Sequence, residues 1–214
     1  MSEWWTYRVS DFLMFSSPTY DRLLALHNLA LWPAQVPAFG LGLAILALLR
    51  RGGPRRGRII AALLAAAWLW VAWAFHLRRY ATINWAAVHF AAAFALEAAL
   101  ILWAGVVRDR LLPGPGRAGL AVFLAGLLAY PLVTPLLGRQ WNQMELFAVV
   151  PDPTVVATLG VLLLASPRAP RLLLVVPVLW CAVTGATLWA MDSPEAPIAP
   201  LAAVLTLLRL KGRR

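Results

Sequence analysis

Long apolar runs, separated by short loops that contain arginine, are the feature that most limits what this chain can fold into. Of its 214 residues, 62% are hydrophobic and only 13% are charged. A soluble domain is usually about 45–50% apolar and about 25% charged. So few charges could not cover so much apolar surface in water. The sequence therefore predicts a protein whose solvent is the lipid bilayer.

Seven runs satisfy the requirement for a membrane-spanning helix, which needs about 20 mostly apolar residues. The predicted spans are residues 26–49, 58–77, 83–107, 118–137, 152–167, 171–191 and 195–210. The fifth and seventh are short and flanked by proline. We expect an all-α bundle of seven transmembrane helices over residues 23–210, with an interfacial aromatic segment at 1–22 and a basic tail at 211–214.

The distribution of charge predicts the orientation of the bundle. With the N-terminus outside, fourteen arginines and lysines fall on the inner side and five arginines on the outer side. Cytoplasmic loops of membrane proteins carry such an excess of basic residues. We therefore expect an external N-terminus and a cytoplasmic C-terminus, and we read the net charge of +10 as a topology signal, with no nucleic-acid partner.

The N-terminal segment mixes aromatic and charged residues, as in the stretch MSEWWTYRVSDF. Aromatic rings of this kind favour the membrane–water interface. Two interpretations stay open, an interfacial anchor and a lid over an outward-facing cavity. The stretch lacks the basic start and apolar centre of a secretory signal, so we expect no cleavage.

Glu97 is the clearest case of an acidic residue inside a predicted span. A charged group near the bilayer centre costs about 2.5–3.5 kcal/mol, so it usually faces a bundle interior or a wet cavity. The spacing predicts one helical face shared by Trp85, His89 and Glu97, which would form a ligand or proton path. The alternative is that Glu97 and His89 make hydrogen bonds between helices.

The first predicted span carries a second polar face, formed by His27, Asn28 and Gln35. Pro33 and Pro37 lie beside Gln35, and each proline removes a backbone donor and favours a kink. Kinked helices in membranes often mark binding sites, although they also ease packing.

Three histidines in the outer half of the bundle, His27, His76 and His89, raise the question of a metal ion or haem. Histidine is the commonest metal ligand, and Glu145 or Asp152 could complete a site. The histidines lack the HxxxH or HExxH spacing of known motifs, and the single cysteine, Cys181, excludes a CxxC motif.

The predicted outer loop 138–154 has the composition of a binding site. It contains Arg139, Trp141, Glu145 and Asp152, together with several amide side chains. Loops held on a rigid scaffold often carry function. Salt bridges to Arg78 or Arg79 would explain the same residues structurally.

Several stretches resemble an uncharacterised family of bacterial multi-pass membrane proteins, known as domain of unknown function 6064. The stretches are SEWWTYRVSDFLMFS, LALWPAQ, RYATINWAA, GRQWNQMELFAVVPDPT and GATLWAM. The resemblance implies a bacterial inner-membrane protein in which this domain makes up essentially the whole chain. It implies no activity, cofactor or catalytic residue.

The leading hypothesis is a membrane protein that binds and transports a small solute or ion through an outward-facing polar cavity. The residues expected to form this cavity are His27, Asn28, Gln35, His76, Arg78, Arg79, Tyr80, Asn84, Trp85, His89, Arg139, Trp141, Glu145 and Asp152, with Glu97 as a deeper coupling or gating group. The expected partners are the lipid bilayer and a small anionic or polar ligand.

Two other hypotheses remain. One is a metal or haem enzyme that uses the three histidines; the other is a partner or assembly protein that transports nothing. No nucleophile, phosphate-binding or dinucleotide motif is present, which favours a protein that is not an enzyme. The sequence leaves open the cofactor, the substrate and whether the chain forms a homo-oligomer.

Overall fold

The structure, a computed structural model, describes residues 13–51, 53, 55–165 and 169–212. All regular secondary structure in these ranges is helical. The α-helices are α1 (Ser17–Leu31), α2 (Gln35–Arg50), α3 (Arg56–Val71), α4 (Ala87–Leu102), α5 (Arg117–Leu124), α6 (Tyr130–Leu136), α7 (Pro151–Ala165), α8 (Val175–Ala190) and α9 (Ile198–Lys211).

Turns of π-helix extend three of these helices. They lie at Ala72–Leu77 after α3, at Trp103–Val107 after α4, and at Ala125–Ala129, where the turn joins α5 to α6. Such turns often occur at functional sites, because the extra residue changes which side chains face inward. Here one of them carries His76 and another immediately precedes Tyr130.

In the part of the chain that the structure describes, four helices are long and apolar enough to cross a membrane: Arg56–Thr82, Ala87–Val107, Arg117–Leu136 and Arg171–Ala190. The pair α1 and α2 brings the number to five if it counts as one broken span. These stretches match five of the seven predicted spans in position. By length and composition, α7 and α9 fall short, since they contain 15 and 14 residues.

The first predicted span is two helices and not one. α1 ends at Leu31, α2 begins at Gln35, and their axes differ by 89°. Pro33 lies in the break, where it has no backbone N–H to continue the helix. The kink predicted beside Gln35 is therefore confirmed at Pro33, whereas Pro37 lies in the first turn of α2, where proline is tolerated.

The predicted division at residues 22 and 23 falls inside a helix, because α1 already begins at Ser17. Residues 1–12, including the paired tryptophans Trp4 and Trp5, lie outside the described ranges. At the other end of the chain, α9 continues to Lys211, so the predicted tail begins on the helix.

Charged loops gather at two ends of the bundle. At one end, which we call the basic end, Arg56 donates to Arg51 O (2.8 Å) and to Pro113 O (2.7 Å), and Gly114 N donates to Leu164 O (2.9 Å). At the other, which we call the acidic end, α1 lies across the loops 78–86, 137–150 and 191–197. The sharp bend after α1 thus places this helix as a cover on the acidic end.

Helix α7 is the centre of the bundle. Every one of its residues, from Pro151 to Ala165, is buried. It packs against α5 and the π-turn with backbones in contact: a methyl group added at Gly160 would overlap the backbone nitrogen of Phe123, and one at Gly126 would lie 2.6 Å from the nitrogen of Ala157. Small residues permit this close approach of helices in membranes.

Candidate functional site

Five charged side chains meet at the acidic end beneath α1. We call them the acidic cluster: Asp21, Arg139, Glu145, Asp152 and Glu195. α1 contributes Asp21, the loop after α6 contributes Arg139 and Glu145, the first turn of α7 contributes Asp152, and the loop before α9 contributes Glu195. Four separate parts of the chain therefore build one site.

Asp152 is the most fully bonded member of the cluster. Its side chain is 2% exposed. It accepts hydrogen bonds from Trp180 Nε1 (2.6 Å), Thr184 Oγ1 (2.8 Å) and the Tyr130 hydroxyl (3.0 Å). The three donors and the positive end of the α7 dipole favour the carboxylate form, whereas burial of the side chain favours the neutral acid and is the larger effect.

Arg139 joins three parts of the acidic end. Its guanidinium donates to Glu195 Oε2 at 2.8 Å and to Asp21 Oδ1 at 2.6 Å. Glu195 is buried, while Asp21 is half-buried. The arginine therefore fastens helix α1 to the loop that follows α8.

Glu145 has no such partner. The side chain is 1% exposed, and neither of its oxygens has a hydrogen-bond partner among the described residues. Burial raises the pKa of Glu145 well above its ordinary value, the charges of Asp152 and Glu195 raise it further, and Arg139 opposes them. The site thus favours a protonated Glu145, or a carboxylate whose charge a bound cation balances.

A cavity of about 210 Å³ opens beside the cluster. Its lining includes Ser17, Tyr20, Asp21, Arg139, Asp192 and Ser193. A second space of about 10 Å³, at the lower limit for holding one water, lies further in against Tyr20, Phe75, Tyr80, Trp180 and Thr184. Tyr20 lines both spaces, and Thr184 and Trp180 connect the inner one to Asp152.

The side chains of the predicted polar face of the first span do not line the cavity. Two of them donate hydrogen bonds to the backbone of the loop 137–150. His27 Nε2 donates to Val149 O (3.1 Å), and Asn28 Nδ2 donates to Asn142 O and Met144 O (both 2.9 Å). Gln35 Nε2 donates to Asn28 O (2.6 Å) across the break. These side chains satisfy backbone carbonyls, which is a structural role.

Arg78 and Arg79 have partners other than the predicted carboxylates. The Arg78 guanidinium lies 5.8 Å from the centroid of the Trp73 ring, and Arg79 Nη2 donates to Leu26 O at 3.4 Å. Within the described ranges, neither arginine makes an ion pair with the loop 138–154. The predicted salt bridges between that loop and this arginine pair are therefore wrong.

Trp85 and His89 lie together as predicted, but Glu97 does not share their face. Trp85 lies before α4, it is exposed, and its ring contacts that of His89 (5.8 Å between centroids). His89 is exposed and Glu97 is fully buried. Eight residues at 3.6 per turn end about 80° away from their starting direction, which is enough to separate an outward from an inward face.

Three other predicted residues fall in different surroundings. Tyr80 is buried among aromatic rings, and Asn84 is buried with its Oδ1 accepting from Ala86 N (2.9 Å). Trp141 is 69% exposed. Of the predicted loop residues, the structure brings together Arg139, Glu145 and Asp152.

The three histidines do not form a ligand set. Within the described ranges, no group of three histidine, cysteine or acidic side chains has the geometry to hold a metal ion. His27 is bonded to Val149 O, His76 is enclosed by aromatic rings, and His89 is on the surface. The arrangement gives no support to the hypothesis of a metal or haem enzyme.

Sequence reasoning missed several members of the site. The missed residues are Tyr20, Asp21, Tyr130, Trp180, Thr184 and Glu195. A polar group inside an apolar run is a signal for Tyr130 and Thr184, which both lie in predicted spans. Asp21 and Glu195 carry no local signal, because their ion pairs with Arg139 join residues that are 118 and 56 positions apart in the chain.

Comparison with known proteins shows the family of the chain but not its activity. The model of a family of unknown function, DUF6064, matches residues 19–214. Neither a curated protein nor a solved structure matches the sequence. The chain therefore belongs to the DUF6064 family.

Proposed function

We propose that this member of the DUF6064 family is a multi-pass membrane protein that binds a small monovalent cation, the proton included, at Glu145 in the acidic cluster, and that it transports this cation. The observation that carries the proposal is Glu145, a carboxyl group with 1% exposure whose two oxygens have no partner among the described residues. Such a group is costly to bury unless a ligand or a proton completes it.

The charge balance of the cluster favours a cation over the anionic ligand that the sequence allowed. The cluster holds four carboxyl groups and one guanidinium. The guanidinium of Arg139 is already paired with Asp21 and Glu195. A further anion would add repulsion, whereas a cation or a proton would reduce it.

The cavity beside the cluster supports entry from the acidic end. Ser17, Asp21 and Asp192 place hydroxyl and carboxylate oxygens along its wall, and oxygen ligands suit hard cations. α1 covers the cluster, and a break of three residues separates it from α2. Movement of α1 at this break is the step that we propose for opening the site.

We also propose that the chain has the topology that its sequence predicts, with seven transmembrane crossings. α2, α7 and α9 contain 16, 15 and 14 residues, which is about 24, 22 and 21 Å at the rise of an α-helix, against about 30 Å of hydrocarbon. We propose that they cross with the four longer helices, which gives seven crossings, and that the acidic end faces outward from a bacterial inner membrane.

Single-cysteine labelling in intact cells tests this topology. Cys181 is the single cysteine of the sequence, so a Cys181→Ala background contains no thiol. A membrane-impermeant maleimide should label Ser193→Cys at the acidic end and leave Gly53→Cys at the basic end unlabelled until the cells are opened. The reverse pattern, or equal labelling of both, would contradict the proposed orientation.

Cation binding is tested on the purified full-length protein in detergent. Thermal unfolding is followed while lithium, sodium, potassium or ammonium chloride replaces choline chloride at constant ionic strength. The same measurement is made over a range of pH. We expect one cation or protonation to raise the unfolding temperature, and Glu145→Gln to remove this response. The matched control is Asp109→Asn, an exposed carboxylate that pairs with Arg58 at the basic end.

The proposal fails if neither the cations nor pH change the unfolding temperature. It also fails if Glu145→Gln responds as the original protein does.

A further inference from the structure

Two buried titratable side chains lie below the acidic cluster and take no part in it. His76 and Glu97 are both 0% exposed. Neither ring nitrogen of His76 and neither carboxyl oxygen of Glu97 has a hydrogen-bond partner among the described residues. The bonds between helices that would explain these residues structurally are thus missing from the described part of the chain.

His76 adjoins the acidic cluster through one indole ring. The centroid of its imidazole lies 5.0 Å from that of Trp180, and Trp180 Nε1 donates to Asp152. The inner space of about 10 Å³ lies against Trp180 and Tyr80, two of the rings around His76. A site of this size is at the lower limit for holding one water. A water there would shorten the distance that a proton has to travel between the cluster and the imidazole.

The aromatic surroundings exclude water from His76 and oppose a lasting charge on its imidazole. Rings of Phe75, Phe90, Phe94, Tyr80 and Trp180 lie within 6.2 Å of the His76 ring, centroid to centroid. Aromatic rings nevertheless attract a cation through their π-electrons, most strongly where water is excluded. Tyr80 and, behind Trp180, Asp152 are the titratable groups that these contacts bring near His76.

Glu97 lies one helical turn below this ring cluster. Phe94, whose ring centroid is 4.5 Å from that of His76, precedes Glu97 by three residues on α4, and both side chains are fully buried. Glu97 is ten residues from Ala87 and ten from Val107, the ends of its membrane-length helix (97 − 87 and 107 − 97). It therefore marks the middle of that helix, about 15 Å from either end.

We propose that protons pass from the acidic cluster through His76 to Glu97, so that the proton is a transported ion of this protein. This inference rests on the proposed function and names its ion. A proton released by a cluster carboxyl reaches a neutral imidazole nitrogen of His76, leaving a carboxylate and an imidazolium. The imidazolium then gives up a proton to the Glu97 carboxylate, which becomes a neutral acid as the imidazole returns to its neutral form. Chains of acidic and histidine side chains carry protons in this way in membrane pumps and transporters.

Proton flux in proteoliposomes tests the inference. The full-length protein is reconstituted into liposomes that contain a pH-sensitive dye, and a potassium diffusion potential set with valinomycin drives protons inward. We expect a flux above that of protein-free liposomes, and its loss to that background in Glu97→Gln and in His76→Phe. Glu97→Asp should retain part of the flux, because it keeps the carboxyl group.

Matched controls separate loss of the route from loss of the fold. Asp109→Asn changes an exposed carboxylate and His89→Phe an exposed imidazole, so both should keep the original flux. Glu97→Gln removes a buried ionisable group without changing the shape of the side chain. It should therefore fold, which is checked by its unfolding temperature and by its elution from a sizing column.

Three results would overturn the inference: an original protein whose flux equals that of protein-free liposomes, a Glu97→Gln protein with unchanged flux, or a His76→Phe protein with unchanged flux. The proposed function is judged separately. If the purified protein responds to cations through Glu145 but carries no proton flux, cation binding at the acidic cluster stands and the proton route falls.

Discussion

Replacing Glu145 by glutamine should remove part of the pH dependence of the protein's stability. Burial, reinforced by Asp152 and Glu195 and opposed by Arg139, raises the pKa of Glu145 well above its ordinary value. The folded protein therefore keeps the Glu145 proton at pH values where the unfolded chain has already lost it. Protonation at this one position then links pH to folding.

The sign and size of the effect follow from this difference in bound protons. Since the folded state holds more protons than the unfolded state, the free energy of unfolding falls as the pH rises. The fall is about 1.4 kcal/mol per pH unit while the folded carboxyl is protonated and the unfolded one is ionised. The stabilising contribution is complete below the unfolded pKa, about 4.3, and is lost as the pH rises through the folded pKa.

Equilibrium unfolding in mixed detergent micelles, followed by far-ultraviolet circular dichroism from about pH 3.5 to about pH 8, measures this slope. Glu145→Gln should match the original protein at the low end and be more stable at the high end. Asp109→Asn, an exposed change, controls for the loss of a carboxylate in general. Parallel curves for the original protein and Glu145→Gln would show that Glu145 is not held protonated by the fold.

Three further substitutions test the packing and the hydrogen bonds. Gly160→Ala should lower the free energy of unfolding by about 1–3 kcal/mol, because the added methyl group would overlap the backbone of the neighbouring helix. Gly40→Ala is the control, since an added methyl group there has nothing within 4 Å. Thermal unfolding compares the two variants. Thr184→Val removes a donor to Asp152 and should cost about 1.5–3 kcal/mol in chemical denaturation, so an unchanged midpoint would argue against this bond. Arg139→Met should lower the free energy of unfolding by up to about 3–5 kcal/mol, and by less than this limit because the arginine side chain is 18% exposed. A second substitution that neutralises its buried partner, Glu195, should restore part of the lost stability.

Hydropathy was sufficient to predict most of the helices. α3, α4 and α8 lie within or close to the predicted spans, because an apolar run of this length has few alternatives to a helix in lipid. The break beside Pro33 was also predictable, since proline cannot donate the missing hydrogen bond. The composition of the loop 138–154 singled out Arg139, Glu145 and Asp152, which the structure places in one cluster. That these residues bind a ligand stays a prediction.

The direction of α1 and the hydrogen-bond partners of the polar groups could not be predicted from the sequence. An apolar run continues through the bend, so hydropathy alone cannot show that the axis turns by 89°. The π-turn at Ala72–Leu77 changes the helical register just where His76 faces inward, and a regular 3.6-residue repeat does not include it. Asp21 meets Arg139 only after the whole bundle has closed, so no local pattern connects them.

The full enclosure of α7 determines how this helix can vary in sequence. A helix with one side toward lipid or water tolerates substitution about once every 3.6 residues, and the tolerant positions trace its outer side. α7 has no such side, since all fifteen of its residues are buried. In a complete mutational scan, the other helices should show periodic tolerance, while α7 should appear as an unbroken block in which size at every position is constrained.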